Sequence, residues 1–262
     1  MTICTVVKVR DGIVLGTDSM SQLHATDPQG QSGVVKTYSN SRKLFQVGEK
    51  PIGVMSWGAG NIGPRSIEGL LREFSRQPGQ EKVRTVEDTA GKLCQFLQEI
   101  YDAEFPNVPV EQQPGIGMYV AGYSRGEEFA EEWEFTLPAA PVPKKVRPKE
   151  HFGASWRGID IPFTRLYQGF DPRLLEALAA KGVSRELIEE TIGQTPLKIQ
   201  VVYGAVPVQD AIDLAVFVLR TTIGYVEIDL GPPACGGPLQ VAIILPQTGF
   251  SWIEQPQLSI TA

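Results

Sequence analysis

The chain has 262 residues, 42% apolar and 21% charged, the balance of a folded globular protein rather than a disordered one. Its 24 basic residues against 30 acidic ones leave a net charge of −6, which argues against nucleic-acid partners, since that affinity rests on clustered Lys and Arg. No apolar run approaches the roughly 18 residues of a membrane span, and the N-terminus lacks the basic and apolar regions of a signal peptide, so a cytoplasmic protein without a membrane partner is expected.

Residues 3–18 read as two strands around Arg10-Asp11-Gly12, because a turn dipeptide between β-branched runs signals a hairpin. Ser19 to Ser41, with Asp27-Pro28 and Gly30, reads as a long loop. A second hairpin follows, Lys43–Val47 and Ile52–Trp57, ending at Gly58-Ala59-Gly60. Pro64 is expected to open a helix carrying Ile67, Leu70, Leu71 and Phe74 on one face. Thr85 is expected to cap another, with Leu93, Cys94 and Leu97 on its apolar stripe. Strand patterns return at Gly117–Tyr123 and Glu128–Thr136. Leu137–Pro148 reads as a proline-rich connector, and its basic stretch Lys144–Lys149 as a solvated loop. Two short helices are expected within residues 171–193, stopped by Gly182 and capped by Ser184. A periodic helix follows over Pro207–Ile223. Leu239–Leu245 and Phe250–Ile253 close the chain as a strand pair. Strands and helices run in blocks, which points to antiparallel sheets with segregated helices rather than a doubly wound parallel sheet.

Most signatures of chemistry are missing. There is no nucleotide phosphate loop, no His-Glu-x-x-His and no Gly-x-Ser-x-Gly. Gly58-Ala59-Gly60-Asn61-Ile62-Gly63 matches Gly-x-Gly-x-x-Gly, but the strand before it belongs to a hairpin and not to a βαβ unit. Cys4, Cys94 and Cys235 are widely spaced and fit reduced thiols. With His24 and His151 they form no zinc pattern, so neither metal nor cofactor is expected. One hydrolytic chemistry needs no histidine. An N-terminal Thr supplies a hydroxyl nucleophile and its own α-amine the base, with an ordinary amine pKa of about 7.7–8.0. Thr2 follows Met1, and removal of Met1 exposes it.

The run from Thr2 through Gly12 to Asp18-Ser19 resembles the N-terminus of catalytic proteasome β-type subunits, including bacterial HslV-like peptidases. Ser41-Arg42-Lys43-Leu44-Phe45-Gln46-Val47 resembles that family's Lys-bearing strand, and Trp57-Gly58-Ala59-Gly60 its glycine turn. Asp210–Arg220 resembles its late helix, and Cys235-Gly236-Gly237 with Val241–Ile244 the turn and strand that follow. The resemblance implies an N-terminal nucleophile hydrolase of α+β class, a four-layer αββα sandwich of two antiparallel sheets flanked by helices. It implies a single domain over 1–262, with insertions at 137–148 and 158–205.

The resemblance also implies a site. Thr2 would be the nucleophile, Lys43 would lower its hydroxyl pKa, Asp18 would position Lys43, and a backbone N–H near Gly58, with Gly60 competing, would meet the oxyanion. Ser155, in Gly153-Ala154-Ser155, stands where the family has a supporting serine. Two positions depart from the pattern: Cys235 where the family has Ser, and Pro232 where it has an Asp that supports the amine, with Asp229 nearby as a substitute. The implied activity is a threonine-type peptidase acting on a peptide or protein substrate. The implied partners are further copies of the chain, in a ring or helical stack, and a separate ATPase unfoldase. A non-catalytic scaffold of the same fold and an amidase for a small non-peptide amide are the competing readings.

Overall fold

The structure, a computed structural model, describes residues 2–26, 32–79 and 83–256. It opens with β1 (Ile3–Val9) and β2 (Gly12–Thr17), paired antiparallel around Arg10-Asp11. Every residue of both strands is buried. The alternation of a strand sends Cys4, Val6, Ile13 and Leu15 to one apolar layer and Ile3, Val7 and Val14 to another; a nearly unbroken apolar run is what a strand covered on both faces requires.

Next come β3 (Ser21–Thr26) and β4 (Ser32–Tyr38), a separate two-stranded ribbon. This corrects the expected loop; the turn residues Asp27, Pro28 and Gly30 lie outside the described residues. The second hairpin forms as β5 (Leu44–Gln46) and β6 (Ile52–Gly58). Pro64 does not open a helix. It sits between β7 (Asn61–Ile62) and β8 (Arg65–Ser66), and α1 (Ile67–Arg76) begins after Ser66, whose hydroxyl accepts the Gly69 N–H at 3.1 Å. Thr85 caps α2 (Val86–Glu104) as expected, accepting the Asp88 N–H at 3.0 Å.

A three-stranded meander follows, β9 (Ile116–Gly122), β10 (Glu131–Leu137) and β11 (Ala140–Lys145). The segment read as a connector therefore carries a strand. Its basic stretch is only partly solvated: Lys144 and Lys145 are exposed, but the Arg147 guanidinium bonds the buried Glu132 carboxylate, and Lys145 and Lys149 lie 3.6 and 3.8 Å from Glu131. β12 (Gly153–Gly158) leads into α3 (Ile161–Gln168), α4 (Arg173–Ala180) and α5 (Arg185–Gln194). The sequence reading misses the first of these. The long helix α6 (Val208–Ile228) precedes the closing pair β13 (Gln240–Leu245) and β14 (Gly249–Glu254).

Two five-stranded sheets result, one ordered β12-β1-β2-β13-β14 and the other β11-β10-β9-β6-β5. All strand pairs among the described residues are antiparallel. Leu15, Met55, Tyr119 and Ile244 fill the layer between the sheets. Leu70, Phe74, Leu93 and Leu97 of α1 and α2 pack on Val54, Val120 and Phe135 of the second sheet. Ala211, Ala215 and Leu219 of α6 pack on Ile3, Val14 and Val241 of the first. The chain is thus α+β, with helices outside paired antiparallel sheets. Among the described residues no helix is long and apolar enough to cross a membrane.

Candidate active site

The register of the first hairpin builds the site. Cys4 pairs with Thr17, so the residue before Cys4 faces the residue after Thr17. Ile3 donates its N–H to Asp18 Oδ1 at 3.2 Å, and Asp18 returns its own N–H to the Ile3 carbonyl at 3.3 Å. Thr2 precedes Ile3, is 3% exposed, and is anchored through its carbonyl, which accepts the Ile159 N–H at 2.8 Å. Hairpin geometry alone therefore brings the start of β1 to the end of β2.

Lys43 enters from the other sheet, immediately before β5. Its Nζ donates to Asp18 Oδ1 at 2.9 Å and to the Met20 carbonyl. Lysine and carboxylate are both buried, at 8% and 0% side-chain exposure. The second carboxylate oxygen accepts the N–H groups of Met20 at 3.2 Å and Gly236 at 3.0 Å. Asp18 thus has four donors, and Oδ1 alone takes both the Lys43 ammonium and the amide of the residue following Thr2. A buried charge needs this much compensation.

The Cys235-Gly236-Gly237 turn closes over this group. The Gly236 carbonyl accepts the N–H groups of Ser19 and Met20 at 3.1 and 2.9 Å. Gly237 has φ +74°, and a Cβ there would lie 2.5 Å from the Ser39 carbonyl oxygen, so glycine is required. Cys235 is fully buried, and burial, aided by the Asp18 charge, pushes its thiol up to about 12. Burial likewise raises Cys4 to about 12. Neither is a thiolate nucleophile at neutral pH.

At the end of β6, Gly58 has φ +87°, and a Cβ there would lie 2.3 Å from the Gly115 carbonyl oxygen. Gly60 has open space around it. Of the two glycines, Gly58 is the one its backbone demands. Trp57 beside it lies against Gly117 and near Gly158, where an added Cβ would lie 1.9 Å from the Thr2 carbonyl oxygen.

Ser155 does not join the group. It pairs with Val6, four residues along β1 from Thr2, a separation of about 13 Å at strand rise. Its hydroxyl instead accepts from Arg147. Asp229 is exposed at the end of α6, where its carboxylate accepts the Leu230 N–H at 2.9 Å. A cleft of about 660 Å³, lined by Val47, Pro51, Ile52, Arg76, Arg84 and Arg125 among others, lies toward the other end of β6 from Gly58. Among the described residues no cluster of His, Cys, Asp and Glu could hold a metal.

The sequence reading also overlooks three contributors to this group. They are the carbonyl of Met20, the amide of Gly236, and Gln240 on β13, whose side chain bonds the backbone on either side of Arg42. Gln240 carries a signal, being a polar residue at the head of the apolar run Leu239–Leu245 and 1% exposed. A buried amide has to be satisfied. The other two act through main-chain atoms and leave no trace in residue type.

These features define an α+β protein of two packed antiparallel sheets, with a buried ammonium–carboxylate couple beside its second residue. No protein-family model matches the chain, and no curated protein does. Solved structures do match. The helical assembly of the Anbu complex from Pseudomonas aeruginosa aligns at TM-score 0.61 and 16% identity, over 97% of this chain and 88% of that one. Anbu (ancestral beta-subunit) from Yersinia bercovieri gives 0.53 and 14%, over 96% and 87%. A Gly-1 mutant of Anbu from Hyphomicrobium sp. strain MC1 gives 0.58 and 11%, over 97% and 87%. At these identities the shared property is the fold. The resemblance to proteasome β-type and HslV-like subunits is corrected accordingly: these three matching structures are Anbu proteins, a distinct family of proteasome-like fold, and no family model or curated protein supports an HslV-like assignment.

Proposed function

We propose that this chain is a threonine-type amide hydrolase, with Thr2 as its nucleophile once Met1 is removed. The observation that carries the reading is the sharing of Asp18 Oδ1 between the Lys43 ammonium and the amide following Thr2. It fixes a cation beside the nucleophile's own backbone. In the reaction, Thr2 Oγ attacks the carbonyl carbon of the scissile amide while the α-amine of Thr2 takes the hydroxyl proton. The Lys43 charge favours the developing alkoxide, and Asp18 holds Lys43 in place. The N–H at Gly58 faces the oxyanion. The tetrahedral intermediate collapses to an ester, the amine returns its proton to the leaving amine, and water then hydrolyses the ester. Ser155 and Asp229 take no part.

The stacking of helices, sheet, sheet and helices supports a four-layer αββα sandwich formed by one domain over residues 1–262, with α3–α5 as an insertion within 158–205. A peptide substrate and a homo-oligomer fit the same reading; the helical assembly formed by one solved Anbu structure favours the oligomer. A scaffold role is the second reading. Pro232 favours it, because a proline cannot ionise where an acidic support for the amine is wanted.

Intact-mass analysis before and after treatment with an epoxyketone or lactone electrophile tests the proposal. The expected result is a chain lacking Met1 that gains one adduct, with Thr2→Ala gaining none and hydrolysing nothing above background. Retained Met1, or no adduct on a chain that lacks Met1, overturns it in favour of the scaffold; an adduct that persists in Thr2→Ala overturns Thr2 as the nucleophile.

A further inference from the structure

Lys43 and Asp18 belong to different sheets, and something has to fix one sheet against the other at the site. β5 is only three residues long and lies at the edge of its sheet, with β6 on one side. The Gln240 side chain, from β13 in the opposite sheet, supplies the other side. Its Oε1 accepts the N–H groups of Lys43 at 3.0 Å and Leu44 at 3.1 Å, and its Nε2 donates to the Ser41 carbonyl at 2.9 Å. Gln240 is at the same time the strand partner of Thr17, the residue before Asp18. Its backbone is therefore registered to the carboxylate, and its amide grips the backbone that carries the ammonium.

We propose that Gln240 is the positioning residue of the Lys43–Asp18 couple, a clamp that sets the ammonium on the carboxylate oxygen by holding residues 41–44 across the gap between the sheets. It reaches no reacting atom; it acts through Lys43. The catalytic consequence rests on the function proposed above, whereas the clamp itself does not. The chemistry suits the task. A carboxamide both accepts and donates, so one side chain pins the segment at two separate points. Being neutral, it adds no third charge to a buried ion pair. A residue that only filled space here would leave the N–H groups of Lys43 and Leu44 without this acceptor, at a cost for each buried group.

The test uses full-length protein with ¹⁵N-labelled lysine. A buried, hydrogen-bonded ammonium exchanges slowly, so Lys43 is expected to give a resolved side-chain signal in the cold. Asp18→Asn, which removes its counter-charge, is expected to abolish that signal and so assigns it. Gln240→Met, of similar length but without the amide, is expected to abolish it too while the backbone amide spectrum stays folded. Hydrolysis should fall about 10²-fold in kcat with KM little changed, the scale expected for a displacement of about 1 Å in a catalytic group. If Gln240→Met does not fold, Gln240→Asn, which keeps a neutral carboxamide but draws it back by one methylene from Ser41, Lys43 and Leu44, is expected to weaken the signal in a folded chain. The proposal is overturned if a folded Gln240→Met, or a folded Gln240→Asn where that variant has to stand in, keeps the Lys43 signal and rate. If wild-type protein hydrolyses nothing yet the signal follows Gln240 as described, the clamp stands and the proposed function falls.

Discussion

Asp18 is the most heavily bonded side chain in the site, and its burial makes the consequences of losing it asymmetric. Removing one member of a buried ion pair strands the other, at a cost of about 3–5 kcal/mol, whereas replacing both by apolar groups can be nearly neutral. Asp18→Ala leaves the Lys43 ammonium buried without this counter-charge. It also removes the acceptor for the N–H groups of Ile3, Met20 and Gly236. Urea denaturation is therefore expected to show Asp18→Ala destabilised by about 3–5 kcal/mol. The double change Asp18→Leu with Lys43→Met should be less destabilising than the two single changes together. Additive losses would mean that the pair does not act as a unit.

Secondary elements are held by smaller terms, which can be tested one at a time. Thr85 satisfies one otherwise unpaired N–H at the start of α2, and Thr85→Ala should cost about 1 kcal/mol, measured as a drop in the urea midpoint without change of slope. An unchanged midpoint would show that the first turn of α2 is held by packing instead. This cap was legible in the sequence, as were β1, β2, α6 and β13, because each pairs an apolar run or a helical apolar period with a boundary residue. β11 was not legible, since Pro141 and Pro143 argue against a strand interior. β11 is the edge of its sheet, where a missing N–H on the outer side costs nothing. The β3–β4 ribbon was hidden for a different reason: Leu23, Val35 and Tyr38 are all more than half exposed, so no buried face imposes alternation. In the site, the meeting of Thr2's neighbour with Asp18 follows from hairpin register and could be read. The crossing of Lys43 between sheets could not, because no local pattern encodes it. Ser155 falls away from the group because resemblance supplied a residue type without the β1–β12 register.

The two sheets are joined by apolar packing between two buried polar groups, and the second group makes the whole molecule sensitive to alkaline pH. Away from Asp18, Lys8 of β1 feels the charges of Glu132 and Arg147, with Arg147 bonded to Glu132 and the Tyr119 hydroxyl donating to Glu132 Oε1 at 3.0 Å. Lys8 is 1% exposed, and its Nζ donates to the Lys149 carbonyl at 2.6 Å. Burial pushes Lys8 from the usual 10.5 down to about 8, against the opposing pull of Glu132. The unfolded chain therefore holds a proton on Lys8 at pH values where the folded chain has released it. Below about pH 8 both states are protonated, and burying the charge weighs fully against the fold. Between about 8 and 10.5 the unfolded state binds more protons, so stability from this residue rises with pH. Lys8→Met has no such proton to lose. Urea midpoints of wild type and Lys8→Met at pH 7.5 and 9.5 are expected to converge, or to shift in favour of wild type, as pH rises. Parallel curves over that interval would show that Lys8 keeps an ordinary lysine's affinity for its proton, and that the sheets are joined at this end by a fixed cation.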